Sequence, residues 1–132
     1  MPAINAMTLN GLSGADHVFA PYGIDSKGVA TLINAGTSPV GDEKLTLSSV
    51  RLPSGKVRTE LRLQVPKTQD VDVGGVIRPT VVKTGFAVLT MTTDGTATSD
   101  DRQELFKMLC SAVTYSENPN IVDMFEQNHP FY

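Results

Sequence analysis

The sequence predicts an α+β fold of about six antiparallel strands followed by two helices, and three observations carry that prediction. From Lys44 to Pro66, polar and apolar side chains alternate at period two, the signature of half-buried strands. After Thr98 the period changes, and Leu105, Phe106, Leu109, Ala112 and Val113 recur at helical spacing. Asn118-Pro119 then restarts the chain with a capping residue and a proline suited to the first turn of a second helix.

Taken in order, Ile4 to Leu9 reads as a short strand, with Asn10-Gly11 and Ser13-Gly14 as turn signals. His17 to Ala20 resumes the extended pattern and completes an N-terminal hairpin. Pro21 to Lys27 reads as loop, Val29 to Ile33 as a β-branched strand, and Asn34 to Gly41 as a loop holding Gly36 and Pro39. In the central hairpin Lys44, Thr46 and Ser48 oppose Leu45 and Leu47. Across the Pro53-Ser54-Gly55 turn, Arg58, Glu60, Arg62 and Gln64 oppose Val57, Thr59, Leu61, Leu63 and Val65. The alternation falters at Ser49-Val50-Arg51, where an end or bulge is expected. Lys67 to Arg78 reads as a polar, glycine-bearing loop, of a length usually tied to function. Thr80 to Thr93 is the longest strand candidate, dense in Val, Thr and Phe.

The first helix runs from about Asp100 to Tyr115, with Thr98 to Asp101 supplying cap oxygens and acids at the positive end of its dipole. Ile121, Val122, Met124 and Phe125 form a second, short helix that stops before His129-Pro130. Two helices, each about 10 Å wide, cover about four strands spaced about 4.8 Å apart. The sheet therefore outruns its cover, and a homodimer that extends the sheet and exchanges helices is the economical solution.

At 132 residues with 40% hydrophobic and 19% charged side chains, the chain is expected to form a single globular domain, residues 1–132. No apolar run approaches the roughly 20 residues of a membrane span, and Met1 to Asn10 has neither the basic start nor the apolar core of a signal peptide. A lone cysteine, Cys110, rules out an internal disulfide and suits a reducing compartment. Charge is unevenly spread. Lys44, Arg51, Lys56, Arg58, Arg62 and Lys67 against Glu60 give that segment +5, within a chain of net charge -3. A basic sheet face in an acidic protein is a footprint for an anionic partner, although charged faces also keep strand edges from aggregating.

Catalytic and metal chemistry lack a constellation. His17 and His129 stand at no metal-ligand spacing, and Cys110, next to Leu109, reads as a small core residue. Asp100, Asp101 and Glu104 are helix-start residues. Neither Gly74-Gly75 nor Pro53-Ser54-Gly55-Lys56 makes a phosphate-binding loop. No enzyme activity, metal or cofactor is expected.

One stretch points further. Val65 to Pro79, VPKTQDVDVGGVIRP, resembles the coat proteins of the small single-stranded RNA bacteriophages, which carry a valine-proline opening and a VGGV-type loop closing on proline. The resemblance extends to Gly28-Val29-Ala30, the Thr46/Ser48 strand, the aromatic strand at Phe86, two C-terminal helices and the Pro130-Phe131-Tyr132 tail. It implies an N-terminal hairpin, a five-stranded antiparallel sheet and two helices, intertwined as a dimer with a ten-stranded sheet. It further implies a T=3-type icosahedral shell lined by that sheet, with the long loop around the symmetry axes. The implied partners are the chain itself, genomic single-stranded RNA, and an RNA hairpin whose binding represses replicase translation, with no membrane. The implied setting is the virion, assembled in the bacterial cytoplasm. By the same resemblance Val29, Thr46, Ser48, Glu60 and Arg62 face RNA bases, Lys44, Lys56 and Arg58 meet phosphates, and Phe86 stacks on a base near Val88. Glu60 and Val88 depart from the family pattern, where a threonine and an Asn or Asp are typical. A non-viral dimeric RNA-binding module with the same sheet face is the rival reading.

Overall fold

The computed structural model describes residues 4–11, 16–35, 39–114 and 117–128. The Ser13-Gly14 turn, Gly36, Tyr115, His129 and the Pro130-Phe131-Tyr132 tail lie outside them. The chain forms two compact units, 1–92 and 93–132.

The first unit is an antiparallel meander in which strand order follows chain order. Its strands are β1 (Met7–Asn10), β2 (Asp16–Ile24), β3 (Ala30–Asn34), β4 (Glu43–Arg51), β5 (Val57–Val73) and β6 (Val76–Thr93). A 3-10 turn, Pro39–Gly41, precedes β4. The N-terminal hairpin and the five-stranded sheet share β2. Its first residues, Asp16 to Phe19, pair with β1, and Ala20 to Ile24 pair with β3.

The alternation in the central strands decides which side is buried. Leu32, Leu45 and Leu63 stand abreast on one face of β3, β4 and β5, with Ala30, Leu47 and Leu61 as the next row. Phe19, Leu32 and Leu45 are at most 2% exposed, and Ile4, Leu47, Leu61 and Leu63 pack against them. Burial of each such side chain contributes about 1.5–3 kcal/mol, so this small cluster is what fixes the register. Phe19 belongs to the hairpin, so the hairpin covers this face. A cavity of about 230 Å³ remains between Leu9 and His17 on the hairpin and Glu43, Leu63 and Val65 on the sheet.

Three expectations about the strands are corrected. Ser49, Val50 and Arg51 do not break the register: they pair in sequence with Thr59, Arg58 and Val57. Strand β2 continues through Pro21 to Ile24 instead of becoming loop, with a register shift between Pro21 and Gly23. From Ala20 onward β2 pairs only with β3, and an edge strand tolerates proline and an irregularity. Lys67 to Arg78 is a β-ribbon rather than a loop: β5 and β6 run to a two-residue turn at Gly74-Gly75. Both glycines have positive φ, +61° and +85°, as a primed hairpin turn requires, and Gly75 N–H donates to Asp72 Oδ1 at 3.0 Å. No peptide bond among the described residues is cis.

The second unit holds α1 (Ser99–Ala112) and α2 (Pro119–Gln127). Thr98 caps α1 in a reciprocal box: Asp101 N–H donates to Thr98 Oγ1 at 3.2 Å, and Thr98 N–H donates to Asp101 Oδ2 at 3.1 Å. Asn118 stands at the N-cap of α2, with Pro119 following, but its amide instead donates to Ser111 O at 2.7 Å. Ser111 Oγ donates to Glu117 Oε2 at 2.6 Å, so the two residues before α2 are both tied back to Ser111 of α1. Asn128 ends α2 in the left-handed region. Cys110 is exposed, contrary to its expected core role. It stands one position round the helix from half-buried Leu109.

Candidate nucleic-acid interface

The hairpin of β4 and β5 presents its polar side chains on the face opposite Leu45 and Leu63. Thr46 pairs with Arg62, Ser48 with Glu60, and Val50 with Arg58. The short side chains at Thr46 and Ser48, between the longer ones of β5, leave an open groove of about 420 Å³. Val29, Thr46, Ser48, Arg58, Glu60 and Arg62 all line it. Six of the expected RNA-facing residues are thus brought together.

Its third side is built by the turn between β2 and β3. Asp25 Oδ1 accepts the backbone N–H groups of Lys27 at 2.8 Å and Val29 at 3.0 Å. Gly28, at φ +79°, closes the turn by donating to Asp25 O at 3.1 Å. This local hydrogen bonding delivers Lys27 and Val29 to the groove rim. Lys27 and Val50 are lining residues that the sequence reading missed. The Asp-x-x-Gly spacing of the turn was the signal for the first. The second had no such signal, because the polar and apolar alternation breaks at Ser49-Val50-Arg51, and only the continuous pairing of β4 with β5 puts Val50 on the groove face.

The remaining expected residues lie elsewhere. Lys44 stands in the next row of the same face, paired with Gln64. Lys56 sits in the β4–β5 turn, where its carbonyl accepts Leu52 N–H at 2.7 Å and Gly55 adopts φ +89°. Phe86 and Val88 are on β6, two positions apart and 74% and 61% exposed, and they do not line the groove.

Electrostatically the groove is cationic but not uniformly so. Lys27, Arg58 and Arg62 face one carboxylate, and Arg62 Nε donates to Glu60 Oε1. The Glu60 side chain is 15% exposed and that of Arg62 is 65% exposed. The carboxylate is thus held low in the groove while the guanidinium keeps donors toward solvent. Hydroxyls, apolar walls at Val29 and Val50, and cations at the rim suit a flexible polyanion whose flat bases carry polar edges. Among the described residues no group of three or more His, Cys, Asp or Glu is placed to hold a metal ion. No helix among them is long and apolar enough to cross a membrane.

Comparison with known proteins places the chain in a family. The capsid protein of Pseudomonas phage PRR1 is 28% identical over 98 residues, 74% of each chain. The solved capsid protein of bacteriophage GA superposes with a TM-score of 0.81 at 25% identity, covering 97% of both chains. An unassembled bacteriophage coat protein dimer, described as an RNA-binding dimer, matches with a TM-score of 0.66 at 19% identity over 97% of both chains. The family model for levivirus coat protein matches residues 2–132. That family is one of structural capsid proteins and not of enzymes, and this chain belongs to it.

Proposed function

We propose that this chain is the shell-forming subunit of a bacteriophage virion. In this reading two subunits join along β6 into a ten-stranded sheet and exchange helical cover, and the dimers close into a T=3-type icosahedral shell around single-stranded RNA. The two edges of the five-stranded sheet differ in a way that supports this pairing. The β2 edge carries Pro21 and a register shift, whereas β6 is 18 residues long with Val81, Val82, Phe86 and Val88 exposed. A long edge of exposed apolar side chains is a template for another strand.

The observation that carries the RNA part of the reading is the groove. Val29, Thr46, Ser48, Glu60 and Arg62 meet bases there, Arg58 neutralises a phosphate at the rim, and Lys44 and Lys56 extend the phosphate-binding track beyond it. Phe86 stacks on a base beside Val88. The same face binds an RNA hairpin at the replicase start and represses its translation, in the bacterial cytoplasm where the shell assembles. The solved relative described as an RNA-binding dimer supports a dimer and an RNA ligand. Electron microscopy of the purified protein, with sequencing of enclosed nucleic acid, tests the proposal. Closed particles holding RNA are expected. A dimer that never grows at any concentration or salt would instead favour a stand-alone RNA-binding module.

A further inference from the structure

Among the described residues, Glu60 is the one acid lining a groove otherwise built of cations, hydroxyls and valines. A carboxylate accepts hydrogen bonds and donates none, and it repels phosphate. Whatever lies against Glu60 must therefore present donors. Glu60 is also positioned: Arg62 Nε occupies one lone pair of Oε1, leaving the rest of Oε1 and all of Oε2 to accept. Ser48 stands directly opposite on β4.

We infer that Glu60 makes this groove a reader of guanine, through the adjacent N1–H and N2–H donors of its Watson–Crick edge. The inference rests on the RNA-binding reading above and specifies its base. Unpaired bases in RNA loops expose this edge. The other three bases fit poorly. Adenine and cytosine each place a ring-nitrogen acceptor beside their amino group, against the carboxylate, and uracil flanks its single N–H with two carbonyls. Guanine alone offers two neighbouring donors to two carboxylate oxygens, while its O6, beside N1, accepts from a hydroxyl such as Ser48. Val29 and Val50 supply apolar contact for the ring faces.

The test uses the protein as purified and four RNA hairpins identical except for one unpaired loop base, G, A, C or U, with an inosine version that lacks the 2-amino group. Affinities are measured by fluorescence anisotropy at one salt concentration. The guanine hairpin is expected to bind about tenfold tighter than the adenine hairpin, with inosine losing most of that gain. Glu60→Gln, which turns one acceptor into a donor, is expected to abolish the guanine preference. Glu60→Thr, which replaces the carboxylate with a hydroxyl that both donates and accepts, is expected to abolish it as well. Equal binding of all four hairpins by the native protein, or a guanine preference intact in Glu60→Gln, overturns the inference and leaves RNA binding standing. No binding of any hairpin at low salt removes both. The comparison among hairpins needs no variant, so a misfolded mutant does not blunt it.

Discussion

His17 on the N-terminal hairpin and Glu43 at the start of β4 meet at 2.8 Å, Nδ1 to Oε1, joining residues 26 apart in sequence. The same Glu43 oxygen accepts from Asn34 Nδ2 at 2.6 Å, so one carboxylate ties the hairpin to both β3 and β4. Their side chains are 31% and 13% exposed, and a hydrogen bond to a partly buried carboxylate is worth about 1.5–3 kcal/mol. His17→Ala removes one partner, whereas Glu43→Ala leaves two donors unsatisfied. The expected outcome is a lower urea midpoint for both and a larger fall for Glu43→Ala. In His17→Ala, hydrogen exchange should quicken first in Met7–Asn10. Equal midpoints for the two variants would mean that the carboxylate is not the shared anchor.

The hairpin is also held by packing, and Leu32 is the centre of that packing at 0% exposure. It touches the core from the middle of β3, between Pro21 of β2 and Leu45 of β4 in the register. Leu32→Ala is expected to cost about 2–5 kcal/mol in chemical denaturation, the usual span for truncating a fully buried leucine. The equivalent change at Val50, 40% exposed on the groove face, is expected to cost well under half as much. A comparable loss at both positions would show that the two faces of the sheet are not distinct in burial.

What could be read from sequence followed the contrast between these faces. Leu45 and Leu47 against Lys44, Thr46 and Ser48 gave the central strands, their register and most of the groove, because one buried face forces period-two alternation. The ribbon from Lys67 to Arg78 lacks that contrast. Beyond Gln64, β5 no longer pairs with β4, and Val71 and Val73 are exposed, so polar residues occupy both faces. Backbone pairing rather than burial holds it, and the informative signal was Gly74-Gly75 between alternating valines. Pro21 misled for a related reason, since it breaks an interior strand but not an edge. The capping residues of α1 were plain in the sequence because Thr98 and Asp101 act within one turn. Lys27 reaches the groove through a turn whose hydrogen bonds converge on Asp25, a local pattern that hydrophobic periodicity does not register.

Arg58 and Arg62 both line the groove, but only Arg62 is bonded to Glu60. For single-stranded RNA, each neutralised phosphate adds about 0.7 to the slope of log affinity against log salt. Arg58→Ala is expected to reduce that slope by about one contact and to weaken all RNAs alike. Arg62→Ala is expected to weaken binding more than Arg58→Ala, because it also leaves the Glu60 carboxylate without its counter-charge in the RNA path. Filter binding across a salt series separates the two. An unchanged slope in both variants would place the RNA on another surface.

Gly74 and Gly75 form the tip of the β5–β6 ribbon, and open space surrounds the position of a Cβ on each. Nothing there would collide with a larger side chain, so the requirement is conformational: φ values of +61° and +85° are rarely adopted by L-residues and least of all by β-branched ones. Gly74→Val or Gly75→Val therefore strains the turn without touching the core at Phe19, Leu32 and Leu45. The fold of the sheet should survive, with an unfolding midpoint close to that of the native protein, because the ribbon tip lies outside the β4–β5 pairing. If the tip makes contacts between dimers in the shell, these variants should elute as dimers and yield few closed particles. Gly74→Asn is the matched control, since asparagine tolerates a left-handed conformation and should restore assembly in part. Normal particles from the valine variants would remove the ribbon tip from assembly, and loss of dimers together with particles would locate the defect in folding instead.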